Sequence, residues 1–118
     1  MKYLCLVYVE ETKLEGLAKG EYEKLVDESL DYMEVLRKNG HGIAWNALER
    51  VQTAASVRVR DGKTFTTDGP FAETKEQLGG FFLIEAGDLS DAVRIAAKFP
   101  AARIGCVEVR PVRELTHS

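Results

Sequence analysis

Lys2-Tyr3-Leu4-Cys5-Leu6-Val7-Tyr8-Val9, near the start of the chain, is aliphatic, aromatic or β-branched at nearly every position. Phe81-Phe82-Leu83-Ile84, within Gly79–Ala86, repeats that character. Runs of this length suit strands buried on both faces. From Glu21 to Asn39 the period changes, and Tyr22, Leu25, Val26, Ser29, Met33 and Leu36 fall on one helical face. Acidic residues open that helix, Arg37 and Lys38 close it, and Gly40 stands just past its cap.

Working outward, a polar loop through Gly16 and Gly20 joins the first strand to the helix. Short strands follow at Ile43–Leu48 and Ala54–Arg60. Asp61-Gly62 is a two-residue hairpin signal, so Lys63–Thr67 returns antiparallel. Asp68–Gln77 reads as a loop, with room for one helical turn. A second helix is expected from Ser90, as N-cap, to Phe99, ended by Pro100, with Leu89, Ala92, Val93, Ala96 and Phe99 buried. Ile104–Val112 is the last strand. The order β-α-β-β(β)-α-β makes two βαβ halves, the pattern of a ferredoxin-like α+β sandwich. Two helices cover one face of such a sheet. A second copy, packed sheet against sheet, is expected to cover the other.

The chain has 118 residues, 45% apolar and 30% charged, with a net charge of −3. These values predict one soluble domain spanning residues 1–118. Interspersed charges supply no basic stripe, so nucleic acid is not an expected partner. The N-terminal apolar run is too short to span a bilayer and has no signal-peptide cleavage site. A cytoplasmic location follows as an expectation, with Cys5 and Cys106 as two buried free thiols.

The most site-like passage is Asp68-Gly69-Pro70-Phe71-Ala72-Glu73-Thr74-Lys75-Glu76. Asp, Gly and Pro dictate a tight turn, and Phe71, launched from it, is expected to plug the core or cap a pocket. One reading is a rigid connector with a solvated charged face. The other is a pocket rim on which Asp68, Phe71, Glu73 and Lys75 meet a ligand. With Gly79-Gly80-Phe81 and Val107-Glu108-Val109-Arg110-Pro111, this passage resembles the DGPF-type branch of the YCII-related family, along nearly the whole chain. The resemblance implies a dimeric α+β barrel and, mostly, unassigned activity. DGPF-type members are often encoded beside extracytoplasmic-function sigma factors, which makes such a factor a candidate partner.

The YCII branch proper is associated with a histidine on the first helix and an aspartate before the proline ending the second. Aligned on Gly40 and Pro100, those positions are Ser29 and Phe99 here. Neither is an acid/base group near neutral pH. In the last strand, Val107 and Val109 alternate with Cys106, Glu108 and Arg110. Glu108 and Arg110 thus form a structural ion pair, or Arg110 is offered to an anionic ligand. His41 is either a surface residue favoured by the helix dipole or a general base. Trp45 belongs to core, interface or ligand cavity. His117, in the tail, has no assigned role.

Two histidines and two distant cysteines make no zinc pattern. Gly62-Lys63-Thr64 lacks the upstream glycine of a phosphate-binding loop, its place being taken by Val57. No cofactor is expected. Three functions remain: a small-molecule-binding dimer of regulatory type, an acid/base enzyme using Asp68, Glu73 or His41, and an interaction module for a sigma factor.

Overall fold

The computed structural model describes residues 1–117. Strand β1 (Lys2–Val9) runs between β5 (Gln77–Glu85) and β6 (Cys106–Pro111), antiparallel to both. Strand β2 (Gly42–Ala47) adds to β5, giving a four-stranded antiparallel sheet in the order β2-β5-β1-β6. Strands β3 (Ala55–Arg60) and β4 (Lys63–Asp68) form a separate two-stranded sheet. Among the described residues, three α-helices complete the α+β fold: α1 (Glu11–Glu15), α2 (Lys19–Lys38) and α3 (Leu89–Ala97).

Local signals placed most of these elements. At the end of α2, Gly40 has φ +86°. Gly40 N donates to Arg37 O at 3.3 Å and His41 N to Leu36 O at 2.9 Å, the paired bonds of a Schellman closure. In the hairpin, Asp61 (φ 52°) and Gly62 (φ 74°) are both left-handed, as a type I′ turn requires. Asp88 rather than Ser90 caps α3, its carboxylate accepting from Asp91 N at 2.8 Å. Ala92, Ile95 and Ala96 point inward, while Leu89 and Val93 are exposed, against expectation. The polar loop after β1 contains the short helix α1, whereas the Asp68–Gln77 stretch has no helical turn.

The core lies between the sheet and the helices, built on Tyr3, Cys5, Ile84, Met33, Leu36 and Phe99. Along β1 only the odd positions are buried, and Leu4, Leu6 and Tyr8 are partly exposed. Register puts Phe81, Leu83, Glu108 and Arg110 on that same open face. Cys106 belongs to it as well and is exposed, so the two cysteines are not alike. Cys5 is fully buried, and burial pushes its thiol from the ordinary 9.0 up to about 11.

Strand β6 starts at Cys106 because Pro100–Arg103 forms a turn that Gly105 closes, its N–H donating to Ala101 O at 2.8 Å. A side chain at Gly105 would stand 2.1 Å from Tyr8 O, so the backbones meet there only through glycine.

Candidate functional site

Only the second half of α2 is seated on the sheet. Met33 and Leu36 are buried, while Tyr22 and Val26 on the expected apolar face, and Leu30 outside it, remain substantially exposed. Beneath the first half lies a cavity of about 820 Å³. Val7, Val9, Trp45, Gly80 and Phe82 line it from the sheet side, and Leu25, Val26, Ser29, Leu30 and Met33 line it from α2. Phe99 borders it as well.

The strands dictate the sheet-side surface. Gly80 faces Val7 and Leu78 faces Tyr8, leaving Gly79 as the extra residue of a bulge. A side chain on Gly80 would sit 3.0 Å from Asn46 O, so this glycine lets β2 approach β5 closely. Trp45 pairs with Phe82 across those strands. The Phe82 and Phe99 rings lie parallel with centroids 3.8 Å apart, and Tyr32 meets Phe99 edge-on at 5.0 Å. Trp45, Phe82 and Phe99, all in the lining, form an aromatic wall, with Tyr32 behind Phe99.

Charges collect at one rim. Glu11 accepts from Val51 N at 3.0 Å and pairs with Arg50 Nε at 3.5 Å, and Arg50 also pairs with Glu15. Glu11 N in turn donates to Gln77 Oε1 at 3.0 Å, tying α1 to the start of β5. Elsewhere on α2, Glu28 meets Arg103 at 2.7 Å, anchoring the helix to the turn after Pro100. Inside, Ser29 Oγ donates to Leu25 O at 2.8 Å, the back-bond of a serine within a helix.

The residues singled out from the sequence lie elsewhere. Asp68 ends β4, exposed. Gly69 follows with φ +99°, its N–H donating to Ala54 O at 2.7 Å while Ser56 Oγ donates to its carbonyl at 3.0 Å. Phe71 is 80% exposed and is therefore no core plug. It rests with the Arg58 guanidinium 5.3 Å from its ring centroid and borders a smaller hollow on the hairpin. Glu73 is exposed, and Lys75 pairs with Glu10 at 3.4 Å. Arg110 meets Glu108 at 2.6 Å, the structural pairing the strand alternation allowed. His41 Nδ1 lies 2.7 Å from Glu85 O. None of Asp68, Phe71, Glu73, Lys75, Arg110 and His41 lines the large cavity, whereas Trp45, Ser29 and Phe99 do. Among the described residues no cluster of histidine, cysteine and carboxylate side chains fits a metal ion, and no helix is long and apolar enough to cross a membrane.

A family model for the YCII-related domain matches residues 1–116. The chain belongs to the YCII-related family. It is 36% identical over 117 residues to an uncharacterised protein of Rhizobium meliloti (strain 1021), covering 95% of this chain and 92% of the relative. Within this YCII-related protein, Ser29 and Phe99 stand at the positions that alignment on Gly40 and Pro100 sets against the YCII histidine and aspartate. Both border the same cavity, one on α2 and one after α3. Sequence periodicity grouped Tyr22, Leu25, Val26, Ser29 and Met33 as one face and missed Leu30. It carried no signal that half of that face roofs a void.

Proposed function

We propose that this protein is a homodimeric small-molecule-binding domain of regulatory type, acting in the cytoplasm, whose ligand occupies the cavity beneath α2. The cavity itself carries this reading, since about 820 Å³ of mostly apolar lining lies in the range of small-molecule sites. Binding is favoured over acid/base catalysis by the identity of Ser29 and Phe99, neither of which can exchange a proton near neutral pH.

The sheet order β2-β5-β1-β6 supports a ferredoxin-like sandwich, and the Asp68–Glu76 string supports the DGPF branch. Two features support pairing as a dimeric α+β barrel. The open sheet face carries Leu4, Leu6, Phe81 and Leu83 without a covering layer. The radius of gyration is 16.3 Å, against about 13 Å for a compact chain of this length. A flat body with an exposed apolar face and a hairpin standing clear of it suits a half-assembled object. The Asp68–Glu76 segment then serves as a defined connector between that hairpin and β5.

Ligand-observed NMR with a mixed library of acidic, basic and neutral fragments tests the binding reading. Fragments should bind the wild type and lose that binding in Leu25→Trp, which fills the cavity from its roof. Fragment binding that survives Leu25→Trp in a folded protein would overturn it.

A further inference from the structure

Resting on that assignment of the cavity, we infer that its ligand is an uncharged aromatic molecule bearing a hydroxyl or N–H group, which it donates to Ser29. Three observations converge on this chemistry. The first is charge. The charged lining residues are Glu11, Glu15, Lys19, Glu49 and Arg50, all on α1, the first turn of α2 or the connection after β2. The lining from β1, β5 and the middle of α2 has no charged side chain. Arg50, the natural anchor for a carboxylate or phosphate, is already engaged by Glu11 and Glu15. An anion placed deep in the cavity would be buried without a partner, an arrangement proteins avoid.

The second observation is the wall. Phe82 and Phe99 stack face to face, with Trp45 paired beside Phe82. Phe99 is buried against Phe82, so the ring surface left to a ligand is that of Trp45 and Phe82, both partly exposed in the lining. A flat ring packs against such surfaces, whereas a flexible alkyl chain gains contact area alone and loses rotamer freedom on binding.

The third is the direction of the available hydrogen bond. Ser29 has one hydroxyl proton, and Leu25 O takes it at 2.8 Å. What Ser29 has left are lone pairs, so it meets a ligand as an acceptor. A ring hydroxyl or ring N–H satisfies it, while a ring ether or ketone offers no proton. The site therefore discriminates by the polarity of a single ligand group.

Calorimetric titration of naphthol, methoxynaphthalene, naphthoate, naphthylmethylamine and decanol tests this, using the wild type, Ser29→Ala and Leu25→Trp. Naphthol should bind wild type roughly tenfold or more tighter than naphthoate, naphthylmethylamine or decanol. It should bind about fivefold tighter than methoxynaphthalene, and Ser29→Ala should reduce that gap to below about twofold without changing methoxynaphthalene affinity. Leu25→Trp should abolish naphthol binding.

Equal or tighter binding of naphthoate, the amine or decanol would overturn the inference. So would a naphthol preference untouched by Ser29→Ala in a folded variant, or fragments that bind the cavity when naphthol does not. Each of these results leaves the cavity assignment standing. That assignment fails separately, if Leu25→Trp changes no fragment binding at all.

Discussion

Phe82 on β5 and Phe99 after α3 stack with centroids 3.8 Å and planes 12° apart, joining the sheet to the chain just before Pro100. Phe99 is 1% exposed and serves at once as a core residue and as part of the cavity wall. Phe99→Ala should therefore lower unfolding free energy by about 3–5 kcal/mol, as for other large core truncations. Urea denaturation followed by circular dichroism measures it, and a loss below about 1 kcal/mol would deny Phe99 its core role.

Two glycine substitutions should differ in their effect on stability. Gly105→Ala forces a methyl to 2.1 Å from Tyr8 O, where backbone must shift, and should cost about 1–3 kcal/mol. Gly20→Ala, early in α2 with open space around it, should be neutral or stabilising by up to about 1 kcal/mol. Melting temperatures of the pair check both signs.

The thiols should differ sharply. Cys5 should react with a thiol reagent only after denaturant is added, whereas Cys106 should react in the folded chain once the open sheet face is uncovered, as in the Leu6→Asp variant. Burial raises Cys5 from 9.0 to about 11, so the folded chain keeps its proton where the unfolded chain releases it. This contribution to stability is whole below pH 9 and declines as pH rises from 9.0 towards about 11. Cys5→Ser should remove that decline from the alkaline limb of the melting curve.

Acid should act through α2 and α3. The hydrogen bond from Arg103 holds Glu28 below the usual carboxylate range, and the N–H of Gly87 does the same for Asp91, aided by Arg94. Depressed carboxyls contribute above their unfolded values, and that contribution is lost as pH falls through the folded ones. Melting temperature should drop on acidification below the ordinary carboxylate range, and Arg103→Gln should flatten the Glu28 part.

A charge on the open sheet face should disrupt pairing. Leu6→Asp lies opposite Glu108 and adds a like charge where a second copy would seat. Light scattering should report two chains per particle for wild type and one for the variant. A wild type that stays monomeric at micromolar concentration would remove the dimer from the account.

The sequence was most legible where local chemistry decides conformation. Asp61-Gly62 could only turn a hairpin, and Gly40 closed α2 by the bonds its position implied. It was least legible where coverage decides. Tyr22 and Val26 carry the same periodicity as Met33 and Leu36, yet the first pair remains exposed at the cavity and the second is buried in the core. Asp88 and Ser90 are both good caps two positions apart, and along α3 the apolar residues Leu89, Val93 and Ile95 compete for the inner face, which only packing against the sheet settles in favour of Ile95. Alternation along β6 placed Cys106 with Glu108 and Arg110 but could not say that no helix lies over them. The Asp68–Glu76 string identified relatives, while the cavity was encoded in residues that looked like ordinary core.

The central claim is that the space beneath α2 holds a small molecule. The most direct measurement is a two-dimensional amide NMR spectrum recorded during titration of the tightest-binding fragment from the mixed library, with assigned resonances. Saturable shifts should centre on Val9, Trp45, Gly80 and Ser29, with the indole N–H of Trp45, the chain's one tryptophan, moving among them. Shifts confined to the Asp68–Glu76 segment and the hairpin, with those four residues unmoved at saturation, would contradict it.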